Sequence, residues 1–168
     1  MSPSDVLTEG FGRVLEGVDG LVHNLDPAHL TARVTPQTNT IAWLVWHIAR
    51  VQDAQIAQVC EAEEIWTSQG YVDRFGLPFA PQASGYGQSA DEVGQVDVPA
   101  DLLLDYLQAT HDATMDFLSG LSESDLDRVV DSRWDPPVTL GVRLVSILDD
   151  DVQHLGQASF LAGILRSA

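Results

Sequence analysis

Apolar side chains recur at alternating spacings of three and four positions through four long segments of this sequence. Because an α-helix completes a turn every 3.6 residues, such a stripe lies along one face of an amphipathic helix. No segment shows a convincing alternation of apolar and polar residues, the pattern of a half-buried strand. The sequence therefore predicts an all-α fold, an antiparallel four-helix bundle. The predicted helices span about 4–25, 38–64, 99–120 and 139–166.

Local signals mark the ends of these helices. Ser2, Pro3 and Asp5 fit the N-cap, the first helical position and the capping-box acid of the first helix. Gly120 is expected to end the third helix, and Thr139 to cap the last one. Four glycines lie inside the first predicted helix, and each disfavours it by about 1 kcal/mol relative to Ala.

The connection between the second and third helices, residues 65–98, has no helical period and is rich in Gly and Pro. Its five aromatic residues supply apolar surface to bury, so we expect an ordered loop, with room for a short helical turn, that covers the bundle and acts as a crossover. They are Trp66, Tyr71, Phe75, Phe79 and Tyr86. A capping-box pattern at 122–125 predicts one short helix. Residues 129–138, with consecutive prolines, are predicted to be loop.

Length and charge limit the function. A chain of 168 residues fits one domain, residues 1–168. A net charge of -17, with eight Arg and no Lys, disfavours nucleic acids and anionic membranes as partners. We expect a cytoplasmic protein, because the start lacks a signal-peptide pattern, no apolar run reaches about 18 residues, and Cys60 is the only cysteine.

Three residues form a candidate metal site. His47 lies on the inward stripe of the second helix, between Leu44 and Val51. Asp150 and His154 are four positions apart on the last helix, so they share one face. Two ligands on one helix facing a third on another make a site with open coordination positions.

The same pattern has simpler interpretations. The run 149–151 fits a solvated acidic surface with His154 as an ion-pair partner, and an inward His47 fits a hydrogen-bonded core histidine. His111, at the edge of the third helix's stripe, fits a fourth ligand, a base or a surface residue. The sequence has no Gly-rich phosphate loop, no nucleophile elbow and no Cys-x-x-Cys pair, which disfavours the chemistries that use them.

Four segments together resemble the DinB-like helical-bundle superfamily, in particular its actinobacterial branch of mycothiol-dependent S-transferases and maleylpyruvate isomerase. The resemblance covers nearly the whole chain, and the order and spacing of the segments make it specific. Its segments are NTIAWLVWHIARVQD at 39–53, RFGLPF at 74–79, WDPPVTLG at 134–141 and DDVQHLGQ at 150–157.

The resemblance implies a bundle that is often a homodimer and that binds zinc or nickel at His47, Asp150 and His154. The superfamily often has a third His where this chain has Asp150, whereas maleylpyruvate isomerase has a carboxylate there. The implied activity is metal-dependent thiol S-transfer: mycothiol or a similar low-molecular-weight thiol, bound to the metal as a thiolate, attacks an electrophile in a detoxification reaction.

In this interpretation Trp66 and Phe75 are candidate walls for the electrophile. Arg50 and Arg74 are the cations available to an anionic group of the cofactor, although such Arg residues usually form surface ion pairs. Thiol-assisted isomerisation is an alternative reaction. A non-catalytic metal-binding stress protein and a metal-free bundle with a buried His/Asp network are the alternatives from other classes.

Overall fold

The structure, a computed structural model, describes residues 2–167. Four long helices dominate it, as the apolar periodicity predicts: α1 (Pro3–His23), α2 (Ile41–Cys60), α6 (Ala100–Ser119) and α7 (Leu140–Leu165). Between α2 and α6 lie three short helices, α3 (Ile65–Ser68), α4 (Tyr71–Phe75) and α5 (Ala90–Val93). Two short strands, β1 (Val129–Asp131) and β2 (Val138–Thr139), precede α7. No helix between residues 2 and 167 is both long and apolar enough to cross a membrane.

Side-chain caps fix the starts of three of the four long helices, α1, α2 and α7. The capping box of Ser2 and Asp5 forms at α1, with Pro3 in its first turn, as predicted. The Thr139 hydroxyl accepts a hydrogen bond from the backbone N–H of Val142, which confirms the cap of α7. Thr40 caps α2 in the same way, so this helix begins later than the sequence pattern indicates.

The four long helices pack in a ring, with α2 and α1 each contacting both α6 and α7. The α2 and α7 helices run in opposite directions, since His47 lies near His154 and Gln55 bonds to Arg143. The α2 and α6 helices run in the same direction, since Arg50 bonds to Tyr106 and Gln52 to Thr114. The antiparallel arrangement that the sequence predicts does not hold for this pair, and two parallel neighbours require the connection between them to return along the bundle.

Glycines let α1 and α7 approach closely. A Cβ added at Gly10 would lie 2.6 Å from Leu148 Cδ2, and one added at Gly17 would lie 2.6 Å from Leu155 Cδ2. These two pairs also show that α1 and α7 run in the same direction. Two of the four glycines that weaken α1 as an isolated helix are therefore sites of helix packing, and the tertiary contact offsets their low propensity.

The covering segment, residues 65–98, is ordered over the bundle, as expected, but three short helices replace the predicted loop. Four of its five aromatic side chains pack inward, and Tyr86 is 95% exposed. Trp66 and Phe75 pack on each other and on Tyr106 of α6. Because this segment covers one side of α2 and the helices cover the other, every residue from 41 to 50 is buried.

The region before α7 corrects the prediction of a loop over 129–138. Strands β1 and β2 form an antiparallel pair, with Val129 opposite Thr139. The two prolines at 136–137 lie in the turn between the strands, where neither removes a hydrogen bond of the pair. The predicted short helix at 122–125 is a 3-10 turn over Glu123–Asp127 with its capping box formed.

Candidate metal centre

The second helix supplies one ligand from a rigid position. His47 is 6% exposed and projects toward α7. One turn before it, Trp43 stacks on its ring, with centroids 4.6 Å apart and the planes 10° from parallel. The contact fixes one face of the imidazole and excludes water from it.

The last helix supplies two ligands one turn apart. Nε2 of His47 lies 3.9 Å from Oδ2 of Asp150, and Nε2 of His154 lies 3.6 Å from Oδ1 of the same carboxylate. One ligand atom from each of the three residues lies within 4.8 Å of the other two. The structure thus brings together the three residues that the sequence pattern selects.

These separations suit a shared ion better than direct hydrogen bonds. Both distances exceed the range of about 2.7–3.2 Å for an N–H···O bond. Two atoms bound about 2.1 Å from a tetrahedral ion lie about 3.4 Å apart. Oδ2 of Asp150 and Nδ1 of His154 are buried, and neither has a hydrogen-bond partner among the described residues. A divalent cation would neutralise the buried carboxylate oxygen, so the donor set fits a metal.

The covering segment sets the tautomer of His47. Its Nδ1 lies 2.5 Å from the carbonyl oxygen of Ser84, which only accepts hydrogen bonds, so Nδ1 carries the proton. The lone pair of Nε2 is then directed at Asp150 and His154. Burial lowers the pKa of His47, more than the Ser84 carbonyl raises it, and this favours the neutral imidazole that metals bind.

Access to the centre comes from the α7 side. The side chain of Asp150 is 37% exposed and that of His154 is 17% exposed, whereas that of His47 is 8% exposed. Three ligands with one open side resemble a catalytic metal site, because a structural zinc site is normally closed by four protein ligands.

The three residues of the acidic run 149–151 lie in three different environments. Asp149 is exposed, which fits the solvated-surface interpretation for this residue alone. Asp150 faces His47, and Asp151 is fully buried, so burial raises the pKa of Asp151 well above its ordinary value. His111 is half-buried on α6 and is not part of the group of three.

Of the four residues predicted to contact a cosubstrate, Trp66, Phe75 and Arg74 lie in the covering segment, and Arg50 lies on α2 beneath it. Arg50 is fully buried and donates to Tyr106, Glu64 and the Ala83 carbonyl. Its guanidinium also lies 5.0 Å from the centre of the Trp66 ring. An Arg held in this way is not free to bind an anionic cosubstrate, so its structural role replaces our interpretation of it as an available cation.

The other three residues also have protein partners. Trp66 and Phe75 are buried against each other at 4% and 6% exposure. Arg74 is partly exposed and pairs with Asp105 at 2.6 Å, the surface ion pair that the sequence left as the alternative. Contacts of these three with an electrophile or a cofactor stay a prediction.

Sequence reasoning missed the residues that support His47. Ser84 lies 37 positions away and acts through its backbone, so its side chain carries no signal. Trp43 was detectable, since it precedes His47 by one helical turn. Its indole N–H donates to the side chain of Gln88, a second link between α2 and the covering segment.

Comparison with known proteins assigns the chain to a family. A crystal structure of a conserved protein from Enterococcus faecalis superposes with a TM-score of 0.93. It is 31% identical, and the match covers 100% of this chain and 99% of the other. No curated protein matches the chain significantly. The family model described as the DinB superfamily matches residues 11–158. The chain therefore belongs to the DinB superfamily.

Proposed function

We propose that this protein is a four-helix bundle that binds a divalent metal, zinc or nickel, and transfers a low-molecular-weight thiol to an electrophile. One observation carries the metal-binding part of the proposal. His47, Asp150 and His154 present ligand atoms within 4.8 Å of one another, yet the carboxylate lies too far from both imidazoles for hydrogen bonds. A metal-free His/Asp network would instead need the carboxylate within hydrogen-bond distance of the imidazoles, because its members must bond directly.

Charge supports a thiolate as the exogenous ligand. Two neutral imidazoles and one carboxylate leave a bound divalent ion with one net positive charge. When bound, the ion would lower the pKa of a thiol ligand and so supply a nucleophilic thiolate near neutral pH. The partly exposed side of Asp150 and His154 gives the thiol a route to the site.

The chain's own residues orient the His47 ligand and shield its ring from water. The Ser84 carbonyl holds the imidazole of His47 with Nε2 toward the site, and Trp43 covers the ring face. In the transfer, the thiol loses its proton to solvent, sulfur forms a bond to the electrophilic carbon, and the leaving group departs with its electron pair. The products are a thioether and the released anion.

The first experiment measures metal by elemental analysis of protein purified without chelator, followed by thiol conjugation. A panel of thiols, including mycothiol, is assayed with 1-chloro-2,4-dinitrobenzene as the electrophile. We expect about one zinc or nickel per chain and a conjugation rate that is lost with chelator. Metal without conjugation would leave a non-catalytic metal protein, and absence of metal would refute the site.

Matched histidine variants locate the site. His154→Ala removes a ligand from α7, and we expect it to lose most of the metal and the activity. His111→Ala removes a half-buried histidine outside the group and should retain both. Full metal content in His154→Ala would refute the assignment. An inactive but folded His111→Ala would show that the chemistry depends on a different histidine.

A further inference from the structure

A tight turn of the covering segment, Ser84–Gln88, contacts α2 at two points. The carbonyl oxygen of Ser84 accepts from Nδ1 of His47 at 2.5 Å. The side-chain oxygen of Gln88 accepts from the indole N–H of Trp43 at 2.7 Å. The backbone N–H of Gln88 donates to the Gly85 carbonyl at 3.2 Å and closes the turn. Both contacted side chains belong to the proposed metal site or stack on it.

Gly85 permits this contact for two separate reasons. Its φ of +100° lies in the left-handed region, which side chains rarely adopt. A Cβ there would lie 2.6 Å from Nδ1 of His47 and 2.9 Å from Cζ2 of Trp43. Neither neighbour can move away freely, because each is buried in α2. Any side chain at this position must displace the turn or the ring of His47.

Gly87 provides a built-in comparison. Its φ of +74° is also in the left-handed region, so a side chain there is strained. However, nothing lies within 4 Å of a Cβ built at Gly87. Substitutions at the two glycines therefore both strain the backbone, while only the one at Gly85 also brings a side chain against His47.

We propose that Ser84 and Gly85 are positioning residues for His47, and that docking of the Ser84–Gln88 turn and metal binding stabilise each other. The proposal rests on the metal site of the proposed function. With the turn docked, the Ser84 carbonyl fixes the proton on Nδ1 and points Nε2 at the ion. With the ion bound, the ring is held in the orientation that the carbonyl needs. Thermodynamic linkage makes the two effects equal in size.

The expected magnitude follows from the class of contact. Loss of a group that orients a metal-ligating histidine typically weakens metal affinity by about 10- to 100-fold. We therefore expect Gly85→Ala to weaken zinc binding about 10- to 100-fold. Gly87→Ala should change it less than about threefold, because the turn is strained but His47 is untouched. Gln88→Ala removes only the Trp43 contact, so its effect should lie between the two.

The test is competition of Zn²⁺ against a chromophoric chelator for wild type and the three variants. A dissociation constant raised at least tenfold in Gly85→Ala but not in Gly87→Ala supports the inference. Equal zinc dissociation constants in these two variants overturn the inference but do not contradict the metal site. Wild type that binds no zinc overturns both. If Gly85→Ala fails to fold, Gln88→Ala is the test variant. A zinc dissociation constant of Gln88→Ala equal to that of wild type then overturns the inference.

Hydrogen exchange supplies a readout independent of substitution. The backbone N–H of Gln88 closes the turn, so its exchange rate reports on docking. Saturating Zn²⁺ should slow exchange at Gln88 in wild type by the same factor by which docking tightens zinc binding. The N–H groups of the β1–β2 hairpin, which supplies no ligand, should slow by no more than the general stabilisation of the fold by bound zinc provides. An exchange rate at Gln88 that is unchanged by bound zinc would overturn the coupling.

Discussion

Replacing Arg50 with Met tests whether this residue serves the fold or a cosubstrate. The guanidinium is fully buried and holds Glu64 at 2.9 Å, the Tyr106 hydroxyl at 3.0 Å and the Ala83 carbonyl at 3.1 Å. Met keeps the apolar stem and removes these hydrogen bonds. The change therefore removes the charged group and leaves an unbranched apolar side chain in its place.

The magnitude depends on what the lost cation leaves behind. Breaking a buried ion pair typically costs about 3–5 kcal/mol, because the partner stays buried without its counter-charge. Arg50 also pairs with Asp53, whose Oδ2 lies 3.4 Å from its Nη1. Asp53 keeps hydrogen bonds from Tyr106 and from the backbone of Ile65 and Trp66, and the side chain of Glu64 is 30% exposed. Both features lower the cost of leaving these carboxylates without Arg50, so we expect Arg50→Met to lower the free energy of unfolding by about 3 kcal/mol. The free energy of unfolding of a protein of this size is about 5–15 kcal/mol, so the Arg50→Met variant should stay folded.

Urea unfolding of Arg50→Met beside Arg74→Met provides the assay. Arg74 is also paired to a carboxylate, but its side chain is 46% exposed, so its loss should destabilise the fold much less than the loss of Arg50. Arg50→Met should also weaken zinc binding, since Arg50 holds the carbonyl that precedes Ser84. A variant with wild-type stability and only a raised KM for the thiol would refute this reasoning and restore Arg50 as a cosubstrate contact.

Three further predictions concern metal, packing and pH. Zinc at 100 times its dissociation constant should stabilise wild type by about 2.7 kcal/mol in urea unfolding, and His154→Ala should gain almost nothing. Gly12→Ala, with nothing near the added Cβ, should stabilise the fold by about 0.5–1 kcal/mol, whereas Gly17→Ala should gain less or lose stability because Leu155 must move. Hydrogen bonds from Arg133 lower the pKa of Asp131, so their stabilisation is present above the unfolded value of 3.8 and lost as pH falls below it. The melting temperature of Asp131→Asn should therefore lie below that of wild type at pH 7, with a gap that narrows below about pH 4.

The features of this molecule that the sequence predicts are those determined by residues close to one another in the sequence. Helix starts follow from caps that contact residues three positions away, as at Ser2 and Thr139. The two ligands of α7 follow from a spacing of four on one helix. The end of α2 at Cys60 had no such signal, since the left-handed residue beyond it is Glu61, with a φ of 53°, rather than the usual Gly.

Contacts between distant segments account for the rest. Arg50 looked like a free cation because its partners Glu64 and Tyr106 lie 14 and 56 positions away. The role of Ser84 could not be predicted from the sequence, because its backbone and not its side chain contacts His47. In both cases the covering segment decides the role of an α2 residue, and no local rule predicts where an irregular segment of this length will dock.

The course of the chain explains why the covering segment belongs to the site. Because α2 and α6 run in the same direction, the chain must return along the bundle between them. The returning segment covers the side of α2 that α6 and α7 leave open, so residues 41–50 are buried all round. Without it, Nδ1 of His47 would face water and its ring could rotate. The crossover that the helix order requires is thus also what gives His47 a fixed tautomer and a fixed direction.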